Sequence, residues 1–424
     1  MKKNNLIVIL ILCIWFVISF VTNILGPALP MIITDFRLSL TMASFLPFSF
    51  FLAYGLMSIP AGMMIERLGG KNSLLIAFSL AFSGSFLFVL FPIYTVVLIS
   101  LFIIGMGMAM LQVIILPLMR EAGGEKQYAF NSVLAQIVFG SASFLSPFIM
   151  TNIIQALANT DNDSFFIATL RNFIPKSMPW CSLYVLFTAV FALMLIIIAN
   201  TKFPKVVLAE TEKTGTLQNY KDLLKQKKIW FFFLGIIAYV GTEQGLANWM
   251  SQFLNVYHHV DPLTVGAETI AWFWGLMSIG CVLGLLLIRL MDAKLMLRGF
   301  SILALVNLAV ALFGSTTISI IAFSCCGISI SIMFSVVFSL ALNSINKHHG
   351  SFAGILCTGI FGGALVPFII GWLGDFIGLR YALFFLFLTL AYILSISFYA
   401  KPLIQNQTVG LTDLIKQFWK RNEE

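Results

Sequence analysis

The sequence predicts an all-α polytopic membrane protein: twelve transmembrane helices arranged as two six-helix bundles. Three observations carry that reading. Sixty per cent of the 424 residues are apolar and only 10% are charged, with a mean hydropathy of +0.99, whereas a soluble domain needs roughly a quarter of its residues charged. The apolar residues fall in long runs, and crossing the hydrocarbon takes about 20 of them per helix. The basic residues sit almost entirely in alternate loops.

In chain order the apolar segments lie at about 6–34, 41–65, 72–92, 94–119, 129–154, 180–200, 229–256, 265–288, 299–314, 317–343, 351–374 and 379–400. Placing the N-terminus in the cytoplasm puts both termini and every even-to-odd loop inside. On that assignment 21 of the 25 Lys and Arg are cytoplasmic, and only Arg37, Arg171, Lys176 and Arg380 lie outside. This bias is the positive-inside pattern and fixes the expected orientation. The first run continues from Leu6 to about Phe36 without a small-residue cleavage site, so a retained first span is expected rather than a signal peptide.

The six cysteines (Cys13, Cys181, Cys281, Cys325, Cys326 and Cys357) fall in or beside apolar runs, without CxxC or His-rich company, and read as buried small hydrophobes. No metal site is expected. The net charge of +8 resides in loops flanking spans and does not point to nucleic acid. No HExxH, GxSxG or paired intramembrane Asp is present, so no catalytic constellation is expected.

The domain organisation follows: an N-terminal bundle over 1–200, a linker over 201–228, a C-terminal bundle over 229–400 and a tail over 401–424. In the linker, Leu217, Tyr220, Leu223 and Leu224 recur at helical spacing beside Lys221, Lys225, Lys227 and Lys228. The tail repeats the pattern with Leu411, Leu414, Ile415, Phe418 and Trp419 against Lys416, Lys420 and Arg421. Both read as amphipathic helices on an anionic inner leaflet. The outer loop near 155–179 is expected to be a partly ordered cap. Span 5 carries Phe139-Gly-Ser-Ala followed by Pro147-Phe, and span 11 carries Phe361-Gly-Gly-Ala followed by Pro367-Phe. These are equivalent positions in a six-plus-six duplication, aligned with a two-residue gap.

The loop after span 2 reads Gly62-Met-Met-Ile-Glu66-Arg67-Leu-Gly69-Gly70-Lys71. It resembles the major facilitator signature G-x-x-x-[DE]-R-x-G-[RK]-[RK], with Gly70 at a usually basic position. In a cytoplasmic gate of this kind Gly62 permits close helix contact, Gly69 makes the turn, and Glu66, Arg67 and Lys71 supply latch charges. A second match, Gly371-x-x-x-Asp375-x-x-Gly378-x-Arg380, follows span 11 on the outer side and is expected to gate there.

Span 1 is expected to be interrupted at Asn23-Ile-Leu-Gly26-Pro27-Ala-Leu-Pro30, and span 7 at Gly241-Thr-Glu243-Gln244-Gly245. Paired interruptions in corresponding helices point to a central binding site; a structural proline kink is the alternative in span 1. Glu243 is the only carboxylate well inside a span, roughly 20 Å from the helix start, where an ionised side chain costs about 3 kcal/mol. It is the proton-coupling candidate. Tyr239 shares its face, and Gln244 and Asn248 form a neighbouring polar stripe. Gln112 in span 4 and Gln136 in span 5 are placed at one depth, about 12 Å above the inner face. Either they form one polar site for hydroxyls, or they make helix–helix amide bonds.

Over most of its length the chain resembles the fucose–galactose–glucose proton symporters. The resemblance rests on Ile59-Pro-Ala-Gly62, Gly105-Met-Gly107, Leu111-Gln112-x4-Pro117, Leu134-Ala-Gln136, Phe338-Ser-Leu, Gly350-Ser-Phe and Gly359-Ile-Phe-Gly-Gly363. It implies a major facilitator fold and a sugar-type substrate, with Gln136 at the position of the family's sugar-binding glutamine. Three positions depart from the family. Gly26 stands for the proton-linked aspartate of span 1, Gln112 for a span 4 glutamate, and Phe334 for a span 10 tyrosine of the sugar site.

The expected substrate-binding set is therefore Asn23, Gln112, Gln136, Glu243, Gln244, Asn248 and Phe334. The expected function is carriage of a hexose or similar small polar solute by alternating access, without a cofactor and with H⁺ or Na⁺ as the coupling ion if there is one. The expected partners are that solute and membrane lipid, for a monomer in a bacterial cytoplasmic (inner) membrane. Two alternatives stand beside it. One is an efflux carrier for an amphipathic compound, with Trp249, Trp272, Trp274 and Phe334 forming an aromatic pocket. The other is a non-transporting membrane sensor.

Overall fold

The computed structural model describes residues 5–159, 164–175, 177–204 and 217–401. A helix satisfies every backbone donor and acceptor internally, which is the condition for crossing hydrocarbon. Among the described residues eleven helices are long and apolar enough to cross. In the N-terminal half they are Asn5–Phe36, Leu40–Leu90, Tyr94–Gly123, Phe130–Ala158 and Pro179–Asn200. In the C-terminal half they are Lys227–His258, Pro262–Ile288, Ala293–Phe313, Thr316–Leu342, His349–Ile377 and Leu379–Tyr399.

Leu40–Leu90 is two spans in one run. Its 51 residues would extend about 77 Å if straight, more than twice a hydrocarbon core of about 30 Å. The division is at Gly69, where φ 76° and ψ 167° break the helical path, a conformation glycine adopts without a side-chain penalty. Eleven helices thus make twelve crossings, six in each half, in agreement with the hydropathy pattern. The expected outer cap includes a short helix, Phe165–Phe173. The linker forms a helix over Leu217–Leu224 that buries Tyr220 and Leu223. Residues 205–216 of the linker and the tail beyond Lys401 lie outside the described residues.

Span 1 divides at Ile24, between helices Asn5–Asn23 and Leu25–Phe36, where an interruption was expected. Span 7 does not divide: it is one helix from Lys227 to His258. Its glycines serve contact instead. A Cβ on Gly241 would overlap Val366, and one on Gly245 would sit 3.0 Å from Leu386. The breaks of the C-terminal half lie elsewhere. Span 10 divides at Ser331–Ile332, and span 11 tightens to a 3₁₀ turn over Gly359–Phe361.

The halves meet along two seams, span 2 against span 11 and span 5 against span 8, with the second segment of span 1 against span 7 between them. On the side away from the linker the seams are closed. There the Thr151 hydroxyl donates to the Leu263 carbonyl at 2.7 Å, and Gly371 lies so close to span 2 that a Cβ would be 2.6 Å from the Leu40 carbonyl oxygen. On the linker side the Phe334, Ser335, Phe338, Ser339, Leu342 and Asn343 stripe of span 10 lines an open cavity of about 380 Å³. The face away from the linker is closed, and on the linker side a cavity opens along span 10.

Candidate functional site

The candidate site is built around Glu243 on span 7. Glu243 is partly accessible, while Thr242 and Gln244 on either side of it are buried. Tyr239, one helical turn away, and Gln244 are its polar neighbours. Cys281 of span 8 also lies close, and its thiol donates to the Ser331 carbonyl at 3.3 Å. The break in span 10 has a local consequence here: it frees a carbonyl that a continuous helix would use. Beyond the break, Phe334 lies 5.7 Å from the Tyr239 ring and stacks on Phe338 at 5.6 Å with 26° between planes. Phe334 and Phe338 line the cavity, and the buried Tyr239 touches both Phe334 and Glu243.

Other expected site residues have committed partners. The Asn248 amide donates to the Gln244 carbonyl at 2.8 Å within span 7, and both residues are buried. Asn23 is 4% exposed and its amide donates to the Ser143 hydroxyl at 2.8 Å. Ser19 joins the same group at 2.6 Å from Ser143, so this amide ties span 1 to span 5. Gln112 is partly accessible, and its side-chain oxygen accepts from the Tyr54 hydroxyl of span 2. Gln136 is exposed. It lies one turn from Gly140, at which a Cβ would overlap Ser278 of span 8, so it shares the face that meets span 8.

Gly26 holds a different place. A Cβ there would overlap the Ala247 carbonyl oxygen and come within 3.1 Å of its carbon. Span 1 crosses span 7 at this point, one turn beyond Glu243, and the closed state has no room for a side chain.

Both signature loops have definite geometry. Glu66 and Arg67 are exposed, and the Lys71 ammonium donates to the Ala199 carbonyl at 2.7 Å, at the C-terminal end of span 6, where a cation is favoured. On the opposite face the Asp375 carboxylate accepts from Leu40 N at 2.8 Å, Thr41 N at 2.9 Å and the Thr41 hydroxyl at 2.5 Å. Asp375 belongs to span 11 and the accepted protons to the start of span 2, so this is a helix cap made across the two halves. The carboxylate also suits the positive end of the helix. Arg380 lies over the Tyr257 ring at 4.5 Å, and its backbone N–H donates to the Tyr257 hydroxyl at 3.1 Å. Asp375→Ala is expected to weaken closure of this face by about 1 kcal/mol, a typical cap value. Faster modification of a cysteine placed on span 2 near Thr41 checks it; an unchanged rate excludes the latch.

The aromatic pocket expected for an efflux carrier does not assemble. Trp249 is fully buried with its indole N–H donating to the Pro367 carbonyl at 3.1 Å. Trp274 is 2% exposed, and Trp272 faces outward against Phe144. Sequence reasoning missed Tyr54, Cys281 and the Ser335–Ser339–Asn343 stripe. The stripe had a legible signal: polar residues at i, i+4 and i+8 within an apolar span. Among the described residues no cluster of His, Cys, Asp and Glu is placed to hold a metal.

Two six-helix bundles closed against each other on one face, with a cavity opening along span 10 on the other, are the arrangement of an alternating-access membrane carrier. The major facilitator superfamily profile matches residues 11–360, and the chain belongs to that superfamily. It is a multi-pass integral membrane transporter. A glucose/galactose transporter of Brucella abortus is 28% identical over 398 residues, covering 90% of each chain. Among solved structures, a bacterial homolog of the human lysosomal transporter Spinster, inward-facing and unoccupied, superposes with a TM-score of 0.77 at 16% identity, over 93% of this chain and 96% of that one. The Escherichia coli fucose:proton symporter in its outward conformation gives 0.65 at 20% identity, over 93% and 98%. Both structures share the fold with this chain.

Proposed function

We propose that this chain moves a hexose-type sugar across a bacterial cytoplasmic membrane by alternating access, with the linker face cytoplasmic. The orientation follows the Lys and Arg bias, and the structure described is then the inward-open state. The observation that carries the reading is Glu243, held beside Tyr239 and Gln244, with Phe334 of the cavity wall against the Tyr239 ring and Phe338 stacked on Phe334. Carboxylate and phenol oxygens read sugar hydroxyls, and an aromatic face packs on the apolar C–H face of the ring. The relative named as a glucose/galactose transporter supports the same substrate class.

Gln136, exposed on the face of span 5 that meets span 8, serves as the amide on the N-terminal wall, with Gln112 held by Tyr54. Glu243 takes up and releases the coupling proton. The working unit is a monomer in lipid. Uptake into proteoliposomes with a sugar panel under imposed proton and sodium gradients tests the reading: concentrative hexose uptake is expected, and transport of amphiphiles in place of sugars overturns it. Gln136→Ala is expected to lose saturable sugar binding while inserting normally. Unchanged affinity in that variant removes Gln136 from the site.

A further inference from the structure

A second cavity, of about 340 Å³, lies on the linker side. Its walls come from span 2 (Ile59, Met63), the start of span 7 (Ile229, Trp230, Phe233), span 11 (Ile355, Thr358) and the linker helix (Tyr220, Leu224). The lining is almost wholly apolar, with one exception. Tyr220 is 8% exposed, and its hydroxyl, beside Gly354, has no hydrogen-bond partner among the described residues. A buried hydroxyl left unpaired costs about 1–3 kcal/mol, so the cavity is built for an occupant that is mostly hydrocarbon but carries a polar group near one end.

The depth and charge of the surroundings specify that occupant. Trp230 is exposed at the first turn of span 7, and its indole N–H donates to the Leu224 carbonyl at 2.8 Å. An indole so placed marks the headgroup level. At that level Lys221, Lys225, Lys227 and Lys228 are all exposed. Lys225 is partly offset by Asp222 at 3.2 Å, and Lys228 donates to the Ser344 carbonyl at 2.9 Å, while Lys221 and Lys227 face outward. An apolar slot under a basic rim matches an acyl chain under an acidic headgroup.

We infer that this cavity is a binding site for an anionic phospholipid, with an acyl chain between spans 2, 7 and 11, the glycerol ester region at Tyr220 and the headgroup on the linker-helix lysines. Because span 2 belongs to one half and spans 7 and 11 to the other, the lipid bridges the halves in the state open on the linker side. It therefore favours that state through its differential affinity.

Native mass spectrometry of the full chain, titrated with phosphatidylglycerol or phosphatidylcholine, tests the site. Phosphatidylglycerol is expected to bind more tightly, with affinity falling about fivefold for each of Lys221→Gln and Lys227→Gln. Met63→Trp, which fills the slot from one wall, removes the preference. Tyr220→Phe keeps the fold and weakens the adduct. Equal affinity for the two lipids, or phosphatidylglycerol binding untouched by both Met63→Trp and the lysine changes, overturns the proposal. An adduct that forms only once residues 402–424 are deleted also overturns it, in favour of the chain's own amphipathic tail as occupant.

Discussion

Glu243→Gln is expected to leave sugar exchange intact while abolishing accumulation against a gradient. The substitution preserves shape and hydrogen-bonding capacity beside Tyr239 and Gln244 but removes the carboxyl that takes up and gives up a proton. Gly26 and Gln112 are neutral where the resembling symporters use carboxylates, so no second acid stands on the opposite wall. An ionised carboxylate at this depth costs about 3 kcal/mol, which links its proton to the arrival of substrate hydroxyls and to the change of exposure. In proteoliposomes with an inward proton gradient, wild-type accumulation should exceed equilibrium and that of Glu243→Gln should stop at it. Counterflow of labelled sugar should remain in the variant. Accumulation surviving in Glu243→Gln excludes the coupling role; wild-type transport indifferent to proton and sodium gradients makes Glu243 a hydroxyl ligand of a facilitator.

The second large effect is expected at Gly26. Its Cα lies against the Ala247 backbone, so any Cβ overlaps a carbonyl oxygen that cannot rotate away. Overpacking of this kind costs about 1–3 kcal/mol, and it falls on the state in which spans 1 and 7 are in contact. Gly26→Val should therefore shift the population towards the state open on the far side by roughly 5- to 150-fold. Net transport should fall while insertion and sugar binding from the far side persist. Gly26→Asp should behave alike, although it restores the residue type of the resembling symporters. Wild-type turnover in both variants refutes the crossing as the closing contact. Asp375→Ala acts on the same equilibrium from the rim, with a smaller effect, because its hydrogen bonds are exposed to water.

How far the sequence reached depends on which physical quantity each feature records. Hydropathy is a property of each residue summed along the chain, so twelve spans, a midpoint linker and the loop charge bias were readable without neighbours. The one discrepancy in helix number, Leu40–Leu90 as a single run, resolves at Gly69, which the signature had already marked. The expected break in span 7 was absent. Gly241 and Gly245 signal either a broken helix or a close helix contact, and the local sequence is the same for both.

What the sequence by itself determined is the solvent of each segment, the two six-helix halves, the signature loops and the one carboxylate well inside a span. Tertiary structure alone decided the rest. It paired Asn23 with Ser143 and Gln112 with Tyr54, laid Asp375 across the start of span 2, brought Phe334 to Tyr239 and left Gln136 exposed. It also set Gly26 against Ala247. The reason is that lipid is as apolar as the helices it surrounds, so hydrophobicity places a helix in the membrane but does not choose its neighbour. That choice rests on close packing and hydrogen bonds between residues far apart in the chain.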